Sequence, residues 1–260
     1  MTTAPKLALI TGGSSGLGVA IAGELARRGY DLVLTARSEP QMRKVAAQLS
    51  AETGVTVHIE PLDLGCPGAA AELIGRLDWQ GLAPDVLVNN AGFGMSERFT
   101  EHSPERLTEM LTLNILALTE LTHILGRRMM AKGAGHILLV ASLAAYAPSP
   151  MLAAYAASKA YILSLGEALN IEMGPKVGVT VLSPGLMDTG FNASAGYETE
   201  GMLKRLVRPT SMVARTGIDA MFLGKASVVA GRLNRMLVLI GGLMPRSLVL
   251  RSLRRSRARA

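Results

Sequence analysis

Leu7-Ala8-Leu9-Ile10-Thr11-Gly12-Gly13-Ser14-Ser15-Gly16-Leu17-Gly18 decides the fold. A short apolar run feeds a glycine-rich turn, and the turn opens a helical pattern from Val19 to Arg28. A strand, a tight turn and a helix start in that order build a phosphate site. Glycine lets the backbone turn sharply and come close to a pyrophosphate, while the helix start offers free N–H groups and a positive dipole end. The spacing is Gly-x-x-x-Gly-x-Gly, not the Gly-x-Gly-x-x-Gly of the common dinucleotide fingerprint.

Outward from this stretch, apolar runs alternate with helical patterns. The runs predict strands at Lys6–Thr11, Asp31–Thr35, Thr56–Glu60, Val86–Asn89, His136–Ala141, Gly178–Leu182 and Ser227–Ala230. Between them the periodicity predicts helices at Gly16–Gly29, Glu39–Thr53, Pro67–Leu77, Pro104–Lys132, Ala153–Gly174 and Ser211–Lys225. Strands that are continuously apolar, separated by helices, imply an α/β fold. Its parallel sheet is doubly wound, with helices on both faces. With no repeat or low-complexity linker, the expectation is a single domain over 1–231 and an extension over 232–260.

Composition sets the limits. The chain has 260 residues, 49% of them hydrophobic and 18% charged, which is far from a disordered composition. Its one cysteine, Cys66, permits no internal disulfide, and a cytoplasmic, reducing compartment is the expectation. No apolar signal segment is expected ahead of the first strand. The net charge of +7 is local. No acid follows Asp219, and eight arginines lie from Arg232 onward. Removing these from the 27 basic residues leaves 19 against 20 acidic, about −1 for the remainder. The basicity therefore belongs to the tail, and no specific nucleic-acid partner is expected. No aromatic residue follows Phe222 to stack on a base.

Chemistry concentrates at Tyr155-Ala156-Ala157-Ser158-Lys159. The i, i+4 spacing puts Tyr155 and Lys159 on one helix face. A cation beside a phenol favours phenolate, so the expectation is a Tyr155 pKa lowered toward neutrality and a usable general acid or base. Ser142 stands just past the strand Ile137–Ala141. Asn89-Asn90-Ala91-Gly92 ends the fourth strand, and Asn114 falls mid-helix. Each has a plain structural reading on its own: a surface pair, a turn cap, a strand-ending turn or a buried polar residue. Their joint occurrence, in this order after such a glycine turn, does not.

With these residues in place, the chain resembles the short-chain dehydrogenase/reductase family of the compact single-domain type, over about residues 6–231. The resemblance rests on Thr11-Gly12-x-x-x-Gly16-x-Gly18, Asn89-Asn90-Ala91-Gly92, Asn114, Ser142, Tyr155-x-x-x-Lys159 and Pro184-Gly185 with Thr189. It implies a Rossmann-type sheet and a nicotinamide dinucleotide. It also implies that a carbonyl and a secondary alcohol are interconverted. Tyr155 would exchange a proton with the substrate oxygen, and Ser142 would hydrogen-bond that oxygen. Lys159 would lower the Tyr155 pKa and hold the nicotinamide ribose. Asn114 would hold a relay water behind Lys159. Gly12, Gly16 and Gly18 would let the pyrophosphate approach, Asn90 would lie near the adenosine ribose and Asp63 would meet the adenine, with Ser14, Ser15, Leu17, Ala91 and Gly92 as further cofactor-binding residues. Pro184, Gly185 and Thr189 would border the nicotinamide. No metal is implied. Pairing through the long helices Pro104–Lys132 and Ala153–Gly174 would give a homodimer or homotetramer.

Cofactor choice is read at the end of the second strand. An acid there suits the ribose 2′-hydroxyl of NAD, and a cation suits the 2′-phosphate of NADP. Thr35-Ala36-Arg37-Ser38 offers Arg37 first, so NADP(H) is the preferred cofactor. Glu39 keeps NAD(H) open. Phe93-Gly94-Met95, Leu143-Ala144-Ala145-Tyr146, Leu186-Met187 and the 190–209 loop are the expected pocket walls. Their apolar character suggests an apolar, lipid-like ketone or aldehyde. The competing reading is a non-catalytic NADP(H)-binding regulator, which would not need a Ser142, Tyr155 and Lys159 set.

The tail carries Met236-Leu237-Val238-Leu239-Ile240-Gly241-Gly242-Leu243-Met244, too short to span a bilayer. Pro245 is placed to start a helix that mixes Leu248, Val249, Leu250 and Leu253 with arginines. Three placements fit it: on an anionic membrane surface, over the substrate pocket, or between subunits. For the last ten residues a frayed, solvated basic end is the expectation.

Overall fold

A computed structural model of the chain describes residues 6–187 and 207–257. Seven strands form one sheet: β1 (Leu7–Thr11), β2 (Asp31–Ala36), β3 (Val57–Pro61), β4 (Val86–Asn89), β5 (Gly135–Val140), β6 (Val177–Ser183) and β7 (Ser227–Val229). They lie in the order β3-β2-β1-β4-β5-β6-β7, and every pairing is parallel. Chain order reverses between β1 and β4, where Ala8 pairs with Val86 and Ile10 with Val88. Open α/β sheets bind ligands outside the carboxyl ends of their strands at such a reversal.

The strands are apolar throughout because both faces are covered. Ala8, Ile10, Leu32, Leu34, Val86, Val88, Leu138 and Val140 point into one core. Leu7, Leu9, Val33, Leu87, Ile137 and Leu139 point into the other, as the two-residue period of a strand requires. The first core is closed by α1 (Gly16–Ala26), α2 (Glu39–Thr53) and α7 (Thr210–Phe222), through side chains such as Ile21, Met42 and Ile218. The second is closed by α3 (Ala69–Trp79), α5 (Leu118–Lys132) and α6 (Ala153–Met173), through Leu73, Leu121 and Ile162.

Three elements depart from the sequence expectation. The helix expected over Pro104–Lys132 is α4 (Pro104–Leu111), a π-helical segment Thr112–Ala117, then α5. The widened turn holds Asn114, and π-bulges of this kind recur at functional sites. The helix expected from Pro67 begins two residues later, after Gly68. The tail is helical: α8 (Arg232–Leu243) is followed by α9 (Arg246–Arg257) directly after Pro245. The basic end expected to fray thus continues as helix to Arg257, in keeping with the good helix propensity of arginine and leucine.

Candidate active site

The glycine turn is held from two sides. The Gly12 and Gly13 N–H groups donate to the Thr35 carbonyl at the end of β2, at 2.8 and 3.3 Å. Across the reversal, the Thr11 hydroxyl accepts from the N–H groups of Asn90 and Ala91, both at 2.9 Å. Asn90 Nδ2 donates to the carbonyls of Thr11 and Gly12, at 3.0 and 3.3 Å. Asn90 thus fastens the turn to β4. Gly12 and Gly16 have φ of +69° and +55°, which side chains other than glycine rarely adopt. A Cβ on Gly18 would lie 2.1 Å from the Gly12 carbonyl oxygen. The turn therefore closes on itself only with glycine at 18, which keeps bare backbone facing outward. Ser15 sits at the N-cap of α1, but its side chain makes no capping bond. The first-turn N–H groups of α1 are free of that competitor, unlike those of α4, where Ser103 Oγ accepts from Arg106 N at 3.2 Å. This bare, glycine-lined turn fits a pyrophosphate.

Arg37 follows β2 directly, with its side chain 71% exposed and Nη1 3.8 Å from Glu109 Oε1. Glu109 also pairs with Arg106, whose guanidinium lies 4.9 Å from the Phe93 ring centre. Asp63 follows β3, and its Oδ1 accepts from Gly65 N at 2.9 Å.

Further along the strand ends, β5 runs out at Val140, and Ser142 caps a short turn by accepting from Ala144 N at 3.2 Å. The Ser142 side chain is hydrogen-bonded to the Tyr155 hydroxyl. Tyr155 is 8% exposed. A Cβ on Gly94 would lie 3.1 to 3.4 Å from its ring atoms, so the absence of a side chain at 94 lets the chain run against the ring. Lys159 sits one turn along α6, with Nζ 5.7 Å from the Tyr155 ring centre and donating to the Val140 carbonyl at 3.0 Å.

Asn114 is completely buried. Its Oδ1 accepts from Phe93 N at 3.1 Å. Its Nδ2 donates to the Phe93 carbonyl at 3.0 Å and to Ser158 Oγ at 3.2 Å. Ser158 Oγ in turn donates to the Tyr155 carbonyl at 2.7 Å. Both amide protons of Asn114 are thereby used, and one lone pair of Oδ1 is left for a water. A Cβ on Gly92 would lie 2.8 Å from Asn114 Oδ1 and 3.5 Å from Lys159 Nζ. Gly92 is therefore the floor between the two.

The electrostatics correct one sequence expectation. Burial pushes the Tyr155 phenol up to about 12, with the Ser142 hydrogen bond pulling the other way. Burial likewise pulls Lys159 down to about 8. Removal of water dominates at both groups, so the phenol keeps its proton at neutral pH. That is the state a proton donor needs.

A stability prediction follows from Lys159. The drop from 10.5 to about 8 means the fold bears about 3 kcal/mol for burying this charge below pH 8. The bond to Val140 offsets about 1 kcal/mol. Lys159→Met is therefore expected to end turnover yet raise stability by about 2 kcal/mol, roughly 4–8 °C in Tm. Between pH 8 and 10.5 the unfolded chain holds more protons than the folded one, so wild-type stability rises with pH there. The Tm gap should shrink over that window, and calorimetry of both proteins from pH 7 to 10.5 checks it.

Of the predicted site residues, the structure brings Ser142, Tyr155, Lys159, Asn114 and Gly92 together beside β4 and β5. Gly12, Gly16, Gly18 and Asn90 gather at the reversal. Pro184 and Gly185 follow β6, where the Pro184 carbonyl accepts from Leu143 N at 2.9 Å. Thr189 and most of the 190–209 loop lie outside the described residues. Sequence reasoning quoted Thr11, Asn89 and Ser158 within its motifs without giving them a role, and it passed over Asn234. Asn89 Nδ2 donates to Thr122 Oγ1 at 2.9 Å. Asn234, on α8, is buried and donates to the Ala230 carbonyl at 2.8 Å. A Cβ on Gly185 would lie 2.3 Å from its Nδ2. The first turn of α8 is thus seated on the strand end that the resemblance gives to the nicotinamide.

A parallel sheet in this order, a glycine turn at its reversal and a Ser–Tyr–Lys group on the adjacent strand ends define a Rossmann-type nucleotide-binding domain. The short chain dehydrogenase family pattern matches residues 6–200, and the chain belongs to that family. It is 32% identical over 197 residues to the probable oxidoreductase EphD of Mycobacterium tuberculosis, covering 75% of this chain and 33% of that protein. The chain thus spans about a third of the mycobacterial relative's length. Among solved structures, it is similar to a short-chain dehydrogenase from Sphingobium yanoikuyae in complex with NADPH. The TM-score there is 0.82 at 30% identity, over 91% of this chain and 93% of that one. It is also similar to the bulky-bulky ketone specific alcohol dehydrogenase from Comamonas testosteroni. That match has a TM-score of 0.77 at 29% identity, over 93% and 94% of the two chains.

Proposed function

We propose that the protein is an NADP(H)-dependent oxidoreductase that interconverts a carbonyl and a secondary alcohol on an apolar substrate. The observation that carries this reading is the convergence of the Ser142 hydroxyl, the protonated Tyr155 phenol and Lys159 beside the glycine turn. When bound, the nicotinamide dinucleotide supplies or accepts the hydride. Every other part of the chemistry falls to the chain. Ser142 and Tyr155 hydrogen-bond the substrate oxygen, which fixes the carbonyl and polarises it. Tyr155 Oη gives its proton to that oxygen in reduction and takes it back in oxidation. Lys159, held by the Val140 carbonyl, steadies the charge that develops on the phenol and holds the ribose hydroxyls. Asn114 keeps one Oδ1 lone pair for a water that returns a proton behind Lys159. The bare backbone of Gly12 to Gly18 and the start of α1 receive the pyrophosphate.

Arg37, exposed at the end of β2, carries the NADP(H) preference, and the NADPH-bound solved relative supports it. Arg37→Ala is expected to raise KM for NADPH by about 10- to 100-fold, the worth of a charge-assisted phosphate contact, and to leave KM for NADH unchanged. An unaltered NADPH-to-NADH ratio overturns this assignment.

The half-buried walls Phe93, Met95, Leu143, Tyr146, Leu186 and Met187 support an apolar substrate. NADPH oxidation followed at 340 nm against ketones and aldehydes of graded chain length tests it. Turnover that rises with chain length is expected, and equal turnover of short polar and long apolar carbonyls removes the reading. Exposed Leu111, Leu116 and Tyr161 on the long helices support a homodimer or homotetramer through that face.

A further inference from the structure

We infer that α8 and α9 together form a docking surface for an anionic lipid bilayer. Past its first turn, α8 is an apolar helix whose side chains lie mostly exposed. Met236, Leu237, Leu239, Ile240, Leu243 and Met244 are all exposed, Leu243 to 86%. Only Asn234, in its first turn, is buried. An exposed apolar stretch of this size marks a surface that something else covers. α9 adds exposed Leu248 and Leu250, and with them Arg246 and Arg251.

Charge selects the occupant. The segment from Arg232 to the end holds eight arginines and no acid. A second copy would bring an identical cationic tail against this one, and like charges so placed repel. A nucleic acid offers phosphates but no apolar phase for Leu239 or Leu243, and no aromatic residue follows Phe222 to stack on a base. An anionic bilayer satisfies both halves: its acyl boundary takes the leucines, and its headgroups take the arginines. Among the described residues no helix is long and apolar enough to cross a membrane, so the pair lies along the surface. The contact has an orientation. α8 starts past the carboxyl end of β7, with Asn234 seated against Gly185, so the bilayer faces the carboxyl ends of the strands, the side on which the proposed active site lies. This inference does not depend on the substrate proposed above.

The test is flotation of the full-length protein with phosphatidylglycerol/phosphatidylcholine vesicles, and with phosphatidylcholine vesicles alone. Two variants accompany it: Leu239→Asp/Ile240→Asp, and Arg246→Ala/Arg251→Ala/Arg254→Ala. Wild type should float with the anionic vesicles and not with the neutral ones. The arginine variant should lose roughly 100-fold in partitioning. The aspartate variant should lose roughly tenfold or more, by removing the apolar contact. Melting temperature and turnover of a water-soluble ketone should stay the same in both, since Leu239, Ile240, Arg246 and Arg251 are exposed and none of the substituted residues belongs to the proposed site. Three results overturn the inference. One is a wild type that stays in the aqueous fraction. Another is an aspartate variant that floats like wild type, which means the arginines adsorb alone. The third is a wild-type dimer that the aspartates split, with no flotation, which gives the face to a second copy. Flotation needs no turnover, so its failure and a failure of the proposed activity are read separately.

Discussion

Tyr155→Phe is expected to reduce carbonyl turnover by about 10³-fold, within the range that a positioned general acid contributes. Phenylalanine keeps the ring that lies against Gly94 and loses only the hydroxyl that Ser142 holds. Fold and cofactor binding should therefore persist. The loss should appear in kcat, while NADPH affinity from fluorescence titration stays at the wild-type value. This split separates removal of a proton donor from a misfolded site. A variant retaining wild-type turnover would mean that the proton comes from another group, and the assignment of Tyr155 would fall.

Gly18→Ala should be the most damaging change at the glycine turn. The added methyl would meet a backbone oxygen, which cannot swing aside like the end of a long side chain. It would also meet Asn90 Nδ2, at 2.8 Å. Relief requires the turn to open, and opening breaks the Asn90 bonds to Thr11 and Gly12. Overpacking of this kind costs about 1–3 kcal/mol, or roughly 3–10 °C in Tm at this chain length. NADPH binding should weaken by roughly 100-fold or more, as the backbone N–H groups leave the positions that face a phosphate. Gly75→Ala is the matched control. Gly75 lies exposed inside α3, with nothing within 4 Å of an added Cβ. There the same substitution should stabilise by about 0.5–1 kcal/mol, the helix preference of alanine over glycine. Differential scanning fluorimetry of the pair, with opposite signs expected, checks both.

The sheet was legible because its strands are short, apolar on both faces and separated by clear turns. The glycine turn and the Tyr155–Lys159 spacing were legible because their chemistry is local. What the sequence did not disclose depends on partners far along the chain. Thr11 supports Asn90 from 79 residues away, Ser158 meets Asn114 from 44, and Asn89 reaches Thr122 from 33. No local pattern marks such pairs. The π-helical segment was hidden for a related reason. A 3.6-residue period reads smoothly through Pro104–Lys132, whereas the widened turn coincides with Asn114 bonding to the backbone of Phe93. The Tyr155 pKa was misjudged because spacing shows a neighbouring cation but not how much water is excluded around it.

The bonds that tie Thr11 and Asn90 across the sheet reversal also bear on the thermodynamics of cofactor recognition. A turn already stapled at both ends has little conformational freedom left to surrender when a phosphate arrives. The entropy of ordering that a floppy glycine loop loses at each encounter is here lost once, during folding. Affinity then depends on the quality of the contacts themselves, and association resembles a rigid key meeting a preformed lock rather than a loop closing around its guest.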